Sequence, residues 1–398
     1  MRITGIEAIP LFVPLPEDTK VPISIPNADR VGRTVFGGYR TCLVRVNSDS
    51  GLTGVGECMV RLAPEATAAV VSELGNVLIG TNPLDTSVAW DLMFSVMMNR
   101  GHFKGFFLEA LSGIDIALWD LKGKALDQPV YRLLGGQQRD KIWAYASSLR
   151  FRGIESTVAQ AKAFVAEGYD AMKLKLGSNR HIVASDLELA RAVRSAVGPD
   201  VILAADANCG LERTSAMILA RGLQDLGFIW FEEPLSPDDL DGYAAMAHSL
   251  DMAIAGGETE FTRFGFRELF VRGAIDIVQP NVTRSGGFTE CMRIAAMADA
   301  FHIPYAPHTG SGAAVCMAAE LHLAAALPNF LIYEHMQSDW SQVVPNPLRR
   351  DLVNGPIEVC EGGFMRLPLG PGLGIELNDE VIERHRVPPG HYAEASRR

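Results

Sequence analysis

Short apolar runs that stop at a polar side chain recur along the second half of this chain. Met172-Lys173-Leu174-Lys175-Leu176 is the first, followed by Leu203-Ala204-Ala205-Asp206-Ala207-Asn208 and Ile229-Trp230-Phe231-Glu232-Glu233-Pro234. Ile254-Ala255-Gly256-Gly257-Glu258, Ile277-Val278-Gln279-Pro280-Asn281 and Pro304-Tyr305-Ala306-Pro307-His308 continue the series. Their spacing, about 25–30 residues, is the length of a strand, a loop and a helix. The pattern predicts strands at 142–147, 171–176, 201–206, 228–232, 253–258, 275–279, 303–308 and 330–334. Each except the last is followed by a helix-length segment, among them Ile182–Val197, Arg213–Leu226, Ser285–Phe301 and Gly312–Leu327. Eight apolar strands alternating with helices over about 200 residues predict a closed α/β barrel rather than an open sheet. With its last helix missing or replaced, this is a TIM-like barrel of (β/α)7β type.

The first part of the chain is patterned differently. Ile3–Val13 alternates loosely and reads as a strand. Thr41–Asn47 and Thr53–Cys58 flank Asp49-Ser50-Gly51, a hairpin signal. Pro64–Leu78, Pro83–Met98 and Phe106–Ala125 carry helical periodicity, and the first two open with a proline, which suits a first helical turn. Strands and then helices in blocks predict an α+β capping domain over residues 1–128, with the barrel over 129–361. The Gly- and Pro-rich tail, 362–398, is expected to pack back on the capping domain. Between about 14 and 38 the periodicity lapses among prolines, glycines and isolated charges, and we expect a lid there.

Composition narrows the function. The chain has 398 residues, 48% of them apolar and 21% charged, as in an ordinary globular protein. A formal charge of -11 argues against nucleic acid as a partner but leaves an anionic substrate open, since a bound cation inverts the local field. The six cysteines are scattered without a Cys-x-x-Cys, which fits a reducing, cytoplasmic setting. Leu11–Leu15 is short and broken by proline, so neither a signal peptide nor a membrane span is expected.

All six polar stops fall at strand C-termini, where such barrels place their chemistry. Asp206, Glu232 and Glu258 end three consecutive predicted strands. Adjacent strands lie less than about 5 Å apart, so the three carboxylates repel unless a cation holds them. Oxygen donors alone favour a hard ion such as magnesium. The bland alternative is three unrelated acids capping loops or pairing with lysines, and Glu233 or Glu260 could replace a neighbour. Lys173 and Lys175 share a strand face; mutual repulsion and a nearby cation would lower the pKa of one, giving a base near neutral pH. As a bland alternative, both bridge structurally to the carboxylates. His308 is placed across the barrel from them, to give or take a proton. Glu334, ending the eighth strand, could donate to a substrate oxygen if protonated, and Asn208 could add a substrate contact.

These residues resemble the enolase superfamily, in its mandelate racemase subgroup. The similarity rests on Lys173-x-Lys175, Asp206 with Asn208, Glu232-Glu233-Pro234, Gly257-Glu258, Gln279-Pro280-Asn281, Pro307-His308 and Glu334. Gly113-Ile114-Asp115-Ile116-Ala117-Leu118-Trp119-Asp120, Leu133-Leu134-Gly135-Gly136 and Gly370-Pro371-Gly372-Leu373-Gly374 extend it across nearly the whole chain. The resemblance implies one Mg2+ per site on Asp206, Glu232 and Glu258, binding a substrate carboxylate and stabilising an enediolate. It implies Lys175 as the base, Lys173 as an electrophilic contact, His308 on the opposite face and Glu334 hydrogen-bonded to the carboxylate. It also implies a small carboxylate substrate, no membrane partner and a homo-oligomer.

Asn281 departs from the family pattern, which has an aspartate paired with the histidine. An asparagine orients the imidazole but supplies no charge, so His308 is expected to be a weaker base. That disfavours a racemase or epimerase, which needs two bases, and favours an acid-sugar dehydratase yielding a 2-keto-3-deoxy acid. A cycloisomerase with a sixth-strand lysine is disfavoured by Asn281 at that point. A barrel that binds a sugar acid without turnover is the remaining alternative. Arg30, Arg33, His102 and Lys104 are candidates for a distal substrate carboxylate.

Overall fold

The chain opens with strand β1 (Ile3–Pro14), then two short strands, β2 (Val21–Pro22) and β3 (Val35–Phe36), which pair antiparallel. Strand β4 (Gly38–Ser48) follows and pairs antiparallel with β1 and with β5 (Thr53–Cys58). The computed structural model describes residues 1–15, 21–22, 35–149, 153–177, 179–310, 312–336 and 346–388. The expected lid therefore falls mostly outside the described residues, and Arg30 and Arg33 with it.

Helices α1 (Pro64–Asn76) and α3 (Phe106–Ala125) pack on this sheet, and α2 (Thr86–Ser95) packs against α3. Leu108, Leu111, Ile114, Ala117, Leu118 and Leu121 give α3 a buried face matching its apolar period. The strand beneath is glycine-spaced for close approach. A Cβ on Gly56 would sit 1.9 Å from the Gly113 carbonyl oxygen. The second helix begins at Thr86 rather than the expected Pro83. Asn82 Oδ1 accepts from the Leu84 N–H at 3.3 Å, a side-chain-closed turn that delays it.

After a single turn, α4 (Val130–Leu133), comes the alternation read from the sequence. Strands β6 (Ile142–Leu149), β7 (Ala171–Lys175), β8 (Ile202–Asp206), β9 (Phe228–Glu232), β10 (Ala253–Gly256) and β11 (Ile277–Val278) pair parallel in chain order. Between them run α5 (Ile154–Ala166), α6 (Ala184–Val197), α7 (Arg213–Asp225), α8 (Leu240–Ser249) and α9 (Thr262–Val271). Helices α10 (Gly287–Ala300) and α11 (Ala314–Ala326) follow, and β12 (Tyr333–Met336) pairs parallel with β6.

The strand expected at 303–308 is reduced to Tyr305, which bridges to both Val278 and Phe330. Pro304 and Pro307 have no N–H for a longer ladder. Backbone bonds still close the barrel, among them Ala306 N–H to Val278 O at 3.0 Å, Val278 N–H to Pro304 O at 3.0 Å, Tyr305 N–H to Asn329 O at 2.8 Å, and Leu331 N–H to Tyr305 O at 2.8 Å.

Between β12 and the next strand the described residues make only the turn α12 (Pro347–Arg350). A hairpin of β13 (Cys360–Glu361) and β14 (Phe364–Met365) then joins β6 antiparallel, and α13 (Asp379–His385) leads back to β1, where Val387 N–H bonds Pro10 O at 2.9 Å. Among the described residues no helix is long and apolar enough to cross a membrane.

One apolar layer plugs the barrel. Tyr145, Ala171, Ala204, Trp230, Ala255, Ile277, Ala306 and Ile332 form it, one from each strand position. Two residues further along seven of those segments stand Ser147, Lys173, Asp206, Glu232, Gln279, His308 and Glu334. Period two puts them on the same inward face, and all seven are buried. The plug is the floor of the site, and the next layer is its chemistry.

Candidate active site

The strand register sets the charges side by side. Lys175 pairs with Asp206 across β7 and β8, and Asp206 pairs with Glu232 across β8 and β9. Glu258 follows β10 after Gly257, whose φ of +120° turns the chain. One carboxylate oxygen each from Asp206, Glu232 and Glu258 lie within 4.8 Å of one another.

Burial pushes the Glu232 carboxyl up to about 8, against the pull of Lys173, with Asp206 and Glu334 adding repulsion. Asp206 stays below its usual range although burial works against it, because Lys175 and Lys173 face it. Glu232 Oε1 is buried and accepts no hydrogen bond, and the buried Glu258 Oε2 lies 3.0 Å from His308 Nε2. An orphaned oxygen in an all-carboxylate set is what a hard divalent cation satisfies, so these residues fit magnesium.

The neighbouring acids weighed as replacements, Glu233 and Glu260, are engaged elsewhere. Glu233, at φ +39°, accepts from Cys209 Sγ at 3.2 Å and Thr259 Oγ1 at 3.1 Å. Glu260 pairs with Lys104 at 2.6 Å, which also occupies one of the expected substrate contacts. His102 is exposed.

The two lysines divide. Lys173 is fully buried, 2.6 Å from Glu232 Oε2, 3.1 Å from Glu334 Oε1 and 3.8 Å from Asp206 Oδ2. Burial lowers its pKa, but Glu232, Glu334 and Asp206 more than offset this and hold it well above the ordinary lysine value. Lys173 is therefore a fixed cation, not the lowered amine the sequence allowed for one of the pair. Lys175 is part-exposed and bonds Asp206 Oδ2.

Glu334 corrects a second expectation. It was to donate if protonated. Its oxygens instead accept from Ser147 Oγ at 2.6 Å, the Thr309 N–H at 2.7 Å and the Gly310 N–H at 3.1 Å, beside the Lys173 ammonium. Burial raises its pKa, yet Lys173, His308 and Lys175 keep it well below the usual carboxylate range. It is an acceptor that locks Lys173.

His308 sits with Nε2 3.0 Å from Glu258 Oε2 and Nδ1 3.4 Å from Asn281 Nδ2. Burial lowers its pKa, opposed by Glu258 and Glu334. Asn208 bonds Asp206 through its own N–H at 2.7 Å and Nδ2 at 3.4 Å.

Three residues escaped the sequence reading as site groups. Ser147 orients Glu334, and Gln279 Nε2 donates to Glu232 Oε2 at 2.8 Å. Both lie at the same two-residue offset from the plug, which was the available signal. Arg61, past the end of β5, is half-buried and in the field of Glu258, Glu109 and Glu233. Nothing in its local pattern marks it.

Two family models match the chain: an enolase C-terminal domain-like model over residues 156–381, and a mandelate racemase / muconate lactonizing enzyme N-terminal domain model over 20–135. The chain belongs to the enolase superfamily. Within that superfamily it is 37% identical to a D-galactarolactone cycloisomerase of Agrobacterium fabrum, over 87% of this chain and 91% of that one. It is 34% identical to a D-galactonate dehydratase of Ralstonia pickettii, over 88% and 92%. A crystal structure of an enolase superfamily member from Polaromonas sp. JS666 superimposes with a TM-score of 0.87 at 33% identity, covering 98% of this chain and 99% of that one.

Proposed function

We propose that this superfamily member is a magnesium-dependent dehydratase of an acid sugar, an aldonic or aldaric acid. The observation that carries the reading is the inward layer at the strand ends. It sets a fixed ammonium, Lys173, and a more accessible lysine, Lys175, against the oxygen triad of Asp206, Glu232 and Glu258. Relatives named as D-galactonate, arabinonate and D-xylonate dehydratases support the substrate class.

When bound by the triad, magnesium supplies positive charge for a substrate carboxylate and for the negative charge that develops as the α-proton leaves. Lys173 adds a second fixed positive charge, locked by Glu232 and Glu334. Lys175 takes the α-proton. The C–H electron pair becomes the new double bond, and the β-oxygen departs with its own pair and a proton supplied by His308 or returned by the Lys175 ammonium, leaving as water. The enol then ketonises to the 2-keto-3-deoxy acid. His308 stands on the Glu258 side of the site, on the face away from Lys175.

A second reading keeps the elimination and changes the leaving group. In a sugar-acid lactone the departing oxygen is a carboxylate, which needs no proton. The D-galactarolactone cycloisomerase relative favours this reading. Ring opening by elimination does not require the sixth-strand lysine whose place Asn281 holds. The test is a screen of aldonic acids, aldaric acids and their lactones with magnesium, assayed for 2-keto acid by semicarbazide, with a parallel pool in deuterium oxide. Keto acid from a free acid establishes the dehydratase. Keto acid from lactones alone establishes the second reading. Deuterium at the α-carbon without keto acid would overturn both in favour of an epimerase.

A further inference from the structure

Asn281 meets His308 with a hydrogen-bond polarity that the backbone dictates. Asn281 Oδ1 accepts from the Thr283 N–H at 2.9 Å and from Thr283 Oγ1 at 2.5 Å. Asn281 Nδ2 donates to the His308 carbonyl oxygen at 2.8 Å. A backbone N–H only donates and a backbone carbonyl only accepts, so the amide has one possible orientation. The group facing His308 Nδ1, at 3.4 Å, is therefore an NH2.

An N–H donor needs a lone pair opposite it. Neutral imidazole has one N–H and one lone pair, so a lone pair on Nδ1 leaves the hydrogen on Nε2. Nε2 is the nitrogen turned into the site, 3.0 Å from Glu258 Oε2. An aspartate at 281 would reverse this, accepting from Nδ1–H and exposing the lone pair of Nε2. The whole arrangement is buried, so water does not compete for Nδ1.

We propose that Asn281 is a positioning residue that holds His308 in the Nε2–H tautomer. The ring then offers the site a hydrogen-bond donor and not a second base. Resting on the proposed chemistry, this makes Lys175 the only group that takes the α-proton. Inversion at that carbon requires one face to take a proton and the other to deliver one; a neutral imidazole with its hydrogen on Nε2 has no lone pair there to take a proton and would become an imidazolate if it gave one. The substitution thus commits the site to elimination and removes epimerisation.

The test reads the ring directly. Full-length protein labelled with 15N in histidine is examined by long-range 1H–15N correlation at about pH 8, where an unperturbed imidazole is neutral. The spectrum of His308→Asn assigns the signal. The expected result is a pyridine-like Nδ1 and a pyrrole-like Nε2, and the opposite assignment would overturn the proposal. Asn281→Asp should exchange the two signatures. A folded variant with the wild-type pattern would show that Asn281 does not set the tautomer. If that variant does not fold, the wild-type spectrum decides alone. No substrate enters this measurement, so it can fail while the dehydratase stands, or hold while the substrate screen fails. Formation of a C2 epimer by the wild type from any substrate it accepts would also overturn it.

Discussion

Lys173 and Lys175 are two residues apart on one strand face, yet their surroundings give them different work. Lys173 is enclosed by three carboxylates, and Lys175 meets Asp206 with part of its side chain open. Replacing Lys175 by alanine should lower kcat by roughly 10²–10⁴-fold, the usual loss for a general base. Undiminished turnover in that variant would move the base elsewhere. The triad has its own readout. Magnesium at about 100 times its Kd should stabilise the fold by about 2.7 kcal/mol, visible as a rise in Tm. Asp206→Asn should lose most of that rise, and a wild-type Tm indifferent to magnesium would remove the triad as an ion site. At this scale residue types and their two-residue phase were legible, which is why Glu232 and not Glu233 faces inward. Protonation was not. Glu334 reads in sequence as a possible donor, and only the three hydrogen-bond donors and the ammonium gathered around it show an acceptor.

At the scale of elements, the site depends on strand ends arriving level, and on a helix whose first turn is satisfied from another part of the chain. Glu57, fully buried in β5, accepts from the Ala313 N–H at 2.7 Å, the Cys316 N–H at 2.8 Å and Thr41 Oγ1 at 2.9 Å. Two of these N–H groups belong to the start of α11, where helix amides have no partner of their own and a negative charge is favourable. Burial raises the carboxyl pKa, and those hydrogen bonds draw it back down. Glu57→Gln keeps the shape but turns an NH2 group toward one of the donors. It should cost about 1–3 kcal/mol, the price of a buried donor left unsatisfied. A chemical-denaturation midpoint equal to the wild type would show that α11 does not need the carboxylate. Sequence periodicity placed α11 within two residues at its start and one at its end, because its apolar face is continuous. It could not show which distant acid closes the N-terminus, since residues 57 and 316 meet only in the fold. The seventh strand failed for a local reason instead: its two prolines read as apolar but cannot donate to a ladder.

For the whole molecule, the sheet-and-helix layer and the barrel are joined by buried polar contacts, not by apolar packing alone. Trp90 Nε1 donates to Gly286 O at 2.8 Å, and Asp115 of α3 accepts from the Thr289 N–H at 3.0 Å and Thr289 Oγ1 at 2.6 Å on α10. Gly287 permits the approach, because a Cβ there would lie 2.3 Å from Asp115 Oδ2. The helical stripe of α3 was legible in sequence, but an aspartate inside it gives no sign of its partner. Burial pushes the Asp115 carboxyl up to about 7, though the Thr289 hydrogen bonds pull the other way. In the unfolded chain it titrates near the ordinary aspartate value of 3.8. Between the two values the folded protein holds a proton that the unfolded chain has released. Stability from this group is therefore fully present below the unfolded pKa and is lost as pH rises toward about 7, with little further change above. Asp115→Asn cannot titrate and gives up one of the two Thr289 bonds, a loss independent of pH. The Tm of the wild type minus that of Asp115→Asn should thus shrink steadily from about pH 4 to about pH 7 and then level off. The difference between the two proteins isolates this carboxyl from every other titrating group they share. A difference that stays constant across that range would mean the buried carboxyl ionises as it does in the unfolded chain, and the contact between α3 and α10 would then be insensitive to pH.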